Sequence, residues 1–198
     1  MAFATELITG PTEEPVSLSE ASAHLLLNHA ESEADVALKI RESRRDAEIE
    51  SGRAFVTQTW KLYLDGFPKA LDPLYLPFPP CQSVSSVQYY DGDGTLQTLS
   101  GSAYFSALKG DSPRLVPVDS WPSTQSRRPQ AVIVTFVCGY GAAADVPADI
   151  KAAVKLILGS RWANRGDSTG DSGGDTIPPG ARRILMNYRA PDLLIQEG

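Results

Sequence analysis

The sequence of 198 residues predicts an α+β fold, with N-terminal and C-terminal helices packed together and a small antiparallel β module inserted between them. Apolar residues recur with a helical period near both ends of the chain, and they alternate with a period of two in the middle. A segment rich in Gly, Ser and Asp, residues 166–176, then predicts a flexible linker. A short C-terminal docking helix is predicted to follow this linker.

The N-terminal helical part is predicted over residues 1–54. Ser17 and Glu20 have the spacing of a capping box, so a first helix is expected to start there. A second helix is predicted from Ser32 to Gly52, because serine favours the start of a helix and glycine its C-terminal end. This part is acidic, since the chain up to Gly52 carries eleven carboxylates and four basic side chains.

A stripe of small residues marks the second predicted helix. Ile40, Ser43 and Ala47 share one helical face. Small residues let another helix approach closely, either within the fold or between subunits. We predict that these three residues contribute to a contact between subunits.

The β module is predicted over residues 55–141, where dense Pro and Gly separate short apolar segments. Its strands are expected at residues 56–64, 74–76, 84–90, 95–99, 104–107, 114–118 and 132–140. The sequence Asp91-Gly92-Asp93-Gly94 predicts a hairpin turn. A helix over residues 142–165 is expected to complete the helical part, since Pro147 suits the first turn of a helix.

The C-terminal segment, residues 177–198, is predicted to be a docking arm tethered by the linker. It is too apolar to remain in water, and its arginines suit pairing with carboxylates of a partner. The predicted contact residues are Ile177, Arg182, Arg183, Ile184, Leu185, Tyr188, Arg189, Leu193, Leu194 and Ile195. The alternative is that the segment folds back over the preceding helix of its own chain.

Composition excludes several classes of protein. Hydrophobic residues make up 42% of the chain, as in a globular protein, and no run of 18 apolar residues predicts a membrane span. The net charge of −6 is unlike the basic footprint of a sequence-reading nucleic-acid binder. Two cysteines without a CxxC pair do not indicate a zinc site or a disulfide framework.

No catalytic residue, metal site or cofactor site is predicted, so the protein is not expected to be an enzyme. The only histidines, His24 and His29, are five residues apart and do not share a helical face. The aspartate-glycine turn lacks the glutamate of a calcium-binding loop, because Ser102 stands at the twelfth position. Cys138 is predicted to be a small buried residue, since Phe136 occupies the position at which a nucleophile turn needs glycine.

With these features in place, the sequence resembles the head–tail connector (adaptor) proteins of tailed phages and gene transfer agents. The resemblance covers residues 7–165 and is collinear. Its motifs are PVSLSEA at residues 15–21, SGRAFVTQTW at 51–60, PPCQSV at 79–84, GYG at 139–141, VPADIK at 146–151 and WANR at 162–165. Each motif alone is weak, but their order and spacing are specific.

This resemblance implies a virion structural protein without catalysis or cofactor. It implies a homo-oligomeric ring of twelve subunits that assembles in the host cytoplasm and then sits in the particle neck. The implied partners are the portal protein, a stopper or tail-side neck protein, and DNA that passes through the channel without sequence-specific binding. Under this hypothesis the C-terminal arm would bind the portal protein. The acidic second helix would contact a neighbouring subunit or the lumen through its stripe of Ile40, Ser43 and Ala47.

Two other interpretations remain open at this point. The first is a β-type carbohydrate- or peptide-binding module with helical flanks, for which Trp121 in a Pro- and Ser-rich loop is the one tryptophan expected to be free. The second is an accessory subunit of an enzyme, which the missing catalytic residues neither support nor exclude.

Overall fold

The structure is a computed structural model that describes residues 3–27, 32–69, 71–164 and 177–191. The chain divides into two compact units. The β unit comprises the described residues within Met1–Pro11, Thr57–Tyr140 and Ala190–Gly198, and the helical unit comprises those within Thr12–Val56 and Gly141–Arg189.

The helical unit consists of four α-helices. They are α1 (Leu18–Leu25), α2 (Glu33–Ser51), α3 (Ala148–Ala163) and α4 (Pro179–Met186). Helix α3 packs against α1, α2 and α4, and α2 also packs against α1 and α4. The N-terminal and C-terminal helices therefore pack together, as the sequence predicts.

Local signals in the sequence set the ends of α1 and α2. The Ser17 side chain accepts a hydrogen bond from the Glu20 backbone N–H at 3.2 Å, and the Glu20 carboxylate accepts one from the Ser17 N–H at 2.8 Å. This reciprocal pair is the predicted capping box. Helix α2 ends at Gly52, whose φ of +67° lies in the left-handed region that glycine adopts at little cost. Both predictions are confirmed.

The β unit contains a five-stranded sheet and a three-stranded sheet, and all the strand pairs are antiparallel. The strands are β1 (Phe3–Thr9), β2 (Gln58–Leu64), β3 (Leu74–Tyr75), β4 (Cys81–Tyr90), β5 (Leu96–Thr98), β6 (Tyr104–Ala107), β7 (Arg114–Pro117) and β8 (Val132–Cys138). The larger sheet has the order β1-β2-β8-β4-β5, and the smaller one has the order β3-β7-β6.

The core of the β unit lies on one face of the central strands. Val132, Val134 and Phe136 of β8 are fully buried, and they alternate with half-buried residues. Val134 lies opposite Leu62 of β2 and Val87 of β4, both also fully buried. This alternation is the period of two on which the strand predictions rest.

The α+β prediction is confirmed, but the N-terminal boundary is wrong. Residues 1–54 were expected to be the helical part, whereas Phe3–Thr9 forms β1 and pairs with β2 of the inserted module. Six of its seven residues are exposed, so the strand shows no alternation between buried and exposed positions that a periodicity argument could detect. Among the described residues, the helices are too short or too polar to span a bilayer.

Candidate interaction surfaces

The described residues offer no obvious chemical site. No group of three or more His, Cys, Asp and Glu side chains among them is placed to hold a metal ion. His24 lies on α1, and His29 falls outside the described residues.

The aspartate-glycine segment between β4 and β5 forms the predicted turn. The Asp91 carboxylate accepts hydrogen bonds from the Gln97 side chain at 2.8 Å and from the backbone N–H groups of Thr95 and Asp93 at 2.9 and 3.1 Å. These donors, led by Gln97, stabilise the charged form and lower the pKa of Asp91. The carboxylate therefore organises the turn.

The two cysteines lie opposite each other on neighbouring strands. Cys81 of β4 and Cys138 of β8 are partners in the strand register, and both are buried thiols that are not joined in a disulfide. Burial raises the pKa of Cys81 to about 11, which disfavours the nucleophilic thiolate. Cys138 is fully buried, as predicted. The sequence did not indicate this juxtaposition, because 57 positions separate the two residues.

Trp121 is not a free aromatic residue. Its side chain is only 9% exposed, its ring stacks on Phe67 with centroids 4.8 Å apart, and its indole N–H donates to the Asp72 carbonyl at 2.9 Å. The expectation that this tryptophan would be available is wrong. The carbohydrate- or peptide-binding alternative thereby loses the aromatic side chain on which it depended.

The small-residue stripe of α2 packs within the subunit. Ile40 is 2% exposed, and Ser43 and Ala47 are fully buried. The Ser43 hydroxyl donates to the Lys39 carbonyl of the preceding turn at 2.7 Å. The small residues of this stripe were compatible with close helix approach either within the fold or between subunits, and the structure shows close approach within the fold. The prediction that these three side chains contact another subunit or the lumen is corrected, because they are already enclosed by their own unit.

The acidic side of α2 is largely paired with arginines of the same unit. Arg161 of α3 donates through Nε to the Asp46 carboxylate at 2.8 Å, and it also reaches Glu42 at 3.3 Å. Arg44 is 8% exposed and pairs with Glu14 at 2.7 Å and with Glu48. Because these carboxylates have partners, α2 presents less free negative charge than its sequence indicates.

Helix α4 packs onto the helical unit instead of extending from it. Ala181 and Leu185 are fully buried, and Ile177 is 9% exposed. Arg182 pairs through Nε with Glu50 of α2 at 3.0 Å. The expectation that this segment would be tethered outside the core is therefore wrong for the described residues up to Arg189, and the fold-back alternative is observed.

Further contacts hold the chain just after α4. The Tyr188 hydroxyl lies 3.4 Å from an Asp149 carboxylate oxygen of α3, and the Tyr188 carbonyl accepts a hydrogen bond from Arg53. Ile184 is half-buried, whereas Arg183 and Arg189 are exposed. The predicted contact residues Leu193, Leu194 and Ile195 lie outside the described residues.

Strand β1 forms a surface that the sequence did not indicate. It is the terminal strand of the larger sheet, and Phe3, Leu7 and Ile8 are 44%, 41% and 44% exposed. The signal available in the sequence was a cluster of apolar residues before the first helix, without the regular alternation of a half-buried strand.

Solved structures of gene transfer agent (GTA) particles contain chains with this fold. A chain from the neck of an empty GTA particle computed with C6 symmetry has a TM-score of 0.79 and 19% sequence identity, covering 98% of this chain and 100% of that chain. A chain from the virion of a native GTA particle has a TM-score of 0.76 and 19% identity, covering 94% of this chain and 95% of that one. A chain from the neck of a native GTA particle computed with C12 symmetry has a TM-score of 0.72 and 17% identity, with coverages of 98% and 100%.

The protein therefore has the fold of chains found in GTA particles, two of them from the neck. At the level of the fold, this confirms the resemblance to gene transfer agent connector proteins that the sequence motifs indicate. No protein-family model matches the chain. No curated protein matches its sequence either.

Proposed function

We propose that the protein is a structural head–tail adaptor of a phage-like particle, forming a ring beneath the portal that extends the DNA channel and joins head to tail. The observation that carries this proposal is the fold match to a GTA neck chain over 98% of this chain and 100% of that one. Because the match is nearly end to end, it includes both the helical unit and the β unit. The collinear motifs between residues 7 and 165 support the same role from the sequence.

The proposed assembly is a ring of twelve copies. The two neck reconstructions that contain this fold were computed with C6 and C12 symmetry, which supports a subunit number that is a multiple of six. A ring requires two different patches on each subunit, since a head-to-tail contact must repeat until it closes. We place this ring in the virion neck, after assembly in the host cytoplasm, with the portal on one side and a stopper or tail-side protein on the other.

The proposed role toward DNA is passive. DNA must slide through the channel, so tight binding of its phosphates would oppose packaging and ejection. The net charge of −6 disfavours tight binding of phosphate. The pairing of Glu42 and Asp46 with Arg161 reduces the negative charge that α2 presents. We propose a structural role without enzymatic turnover.

We propose that the exposed part of the C-terminal segment contacts the portal protein. Leu185 is enclosed in the helical unit, whereas Arg183 and Arg189 are exposed, so among the described members of the predicted set these two arginines are accessible to a partner. Replacing both with glutamate is expected to weaken co-purification with the portal protein, because a guanidinium–carboxylate attraction becomes a repulsion. Unchanged co-purification would contradict this contact.

Deleting the gene in cells that make the particles tests the proposed function. We expect DNA-filled heads without tails, visible by negative-stain electron microscopy, and recovery of complete particles when the wild-type gene is supplied on a plasmid. Particles with attached tails in the deletion strain would overturn the proposal. Empty or unformed heads would also overturn it, because they would indicate a role in head formation or packaging.

A further inference from the structure

The outer edge of β1 has few of the features that usually protect an edge strand. Short length, lysine, proline or strong bulges usually prevent natural edge strands from pairing with another chain. Strand β1 has seven residues, FATELIT, with neither lysine nor proline. Its register with β2 is continuous from Phe3 to Leu7 and shifts only between Leu7 and Thr9. Its one charged residue, Glu6, accepts a hydrogen bond from the Tyr63 hydroxyl of β2 at 2.5 Å, so this charge is directed to a neighbour in the sheet.

The core face of the sheet continues onto β1 and ends there uncovered. Phe3 lies opposite Leu64, and Leu7 lies opposite Trp60, so Phe3 and Leu7 share the face on which Leu64 is only 4% exposed. Phe3 and Leu7 themselves are 44% and 41% exposed. An additional strand beside β1 would cover these side chains and pair with the backbone groups of the edge.

The opposite edge of the same sheet offers a complementary surface. It is β5, whose three residues are all exposed, with Leu96 45% exposed. Because each neighbouring pair in the order β1-β2-β8-β4-β5 is antiparallel, β1 and β5 run in the same direction. A second copy displaced sideways can therefore place its β5 beside β1 as a parallel strand. Two different edges that meet in this way make a head-to-tail contact, which is the kind that closes into a ring.

We propose that the outer edge of β1 is a subunit interface occupied by the β5 edge of a second copy of this chain. The proposal rests on the proposed function, because the ring supplies the neighbouring copy. It is supported by the symmetry of the neck reconstructions in which this fold occurs, C6 and C12. Since β5 has three residues and β1 has seven, the contact pairs only part of β1.

Site-specific photo-crosslinking in assembled particles tests the interface. The photoreactive residue p-benzoylphenylalanine is introduced at position 7 of the full chain, and purified particles are irradiated. The expected product has twice the subunit mass of 21.3 kDa, and mass spectrometry is expected to map its link to the segment containing residues 96–98. The control carries the same photoreactive residue at position 105, because Phe105 is 66% exposed in the same unit but lies on the smaller sheet.

The outcomes separate this inference from the proposed function. A crosslink from position 7 to another protein, to a different segment of the second copy, or to nothing overturns the interface while the protein is still present in particles. An equal yield of dimer from position 105 also overturns it, because the contact would not be specific to β1. Absence of the wild-type protein from purified particles overturns the proposed function itself.

Introducing a positive charge on β1 provides a second test of the proposed subunit interface. Leu7→Lys is expected to abolish incorporation into particles while the melting temperature of the isolated subunit changes little, since Leu7 is partly exposed. Phe105→Lys is the matched control and is expected to be incorporated normally. Normal incorporation of Leu7→Lys would contradict the interface.

Discussion

Replacing Leu185 with alanine tests whether α4 is part of the helical unit. Leu185 is fully buried, and α4 packs against both α2 and α3. Truncating a buried leucine to alanine costs about 2–5 kcal/mol, which combines the lost transfer free energy with the cavity left behind. For a chain of this size, each kcal/mol lowers the melting temperature by about 2–4 °C. The expected decrease is therefore about 4–20 °C.

The neighbouring Met186 provides the control. It lies on the same helix but is 49% exposed, so Met186→Ala is expected to change the free energy of unfolding by less than about 0.5 kcal/mol. Urea titration of both variants, followed by circular dichroism at the helical band, measures the difference. If α4 were a tethered arm, Leu185→Ala would be as mild as Met186→Ala, and that result would refute the packing of α4.

Three further predictions concern local features. Ser17→Ala removes one half of the capping box and is expected to lower the free energy of unfolding by about 1 kcal/mol in a urea titration. An unchanged free energy of unfolding would show that the cap is dispensable. Ala47→Trp overpacks a fully buried position and should lower the free energy of unfolding by at least about 1–3 kcal/mol. The control, Ala37→Trp, is at an exposed position and should be tolerated. Equal melting temperatures of the two variants would contradict the burial of Ala47. Burial raises the pKa of Cys81 from 9.0 to about 11, so the folded state holds the thiol proton more tightly than the unfolded state does. The resulting contribution to the free energy of unfolding is present below about pH 9. It is lost as the pH rises towards 11, because the unfolded thiol then loses its proton before the folded one. Iodoacetamide should accordingly label Cys81 more slowly in the folded protein than in urea at pH 8, and equal rates would contradict the shift.

Features with local causes could be predicted from the sequence. The Ser17–Glu20 capping box, the end of α2 at Gly52 and the turn at Asp91 each depend on residues within a few positions of one another. The central strands could also be predicted, because one face of each is buried and the other is not. In β2, accordingly, Trp60, Leu62 and Leu64 alternate with Thr59, Lys61 and Tyr63.

Features that depend on distant contacts could not be predicted. Strand β1 pairs with residues 50 or more positions away and is exposed on both faces, so its sequence carries no period of two. The apolar residues of α4 indicated that the helix needs a partner surface, but not that α2 and α3 of the same chain provide it. The α2 stripe had the same ambiguity, since close packing within a fold and between subunits requires the same small residues.

Electron cryomicroscopy of the particle neck is the direct test of the proposed head–tail adaptor role. We expect a ring of twelve copies directly beneath the portal, with density that fits both the β unit and the helical unit of this chain around the DNA channel. Density for this chain elsewhere in the particle, or a neck ring built entirely from other proteins, would contradict it.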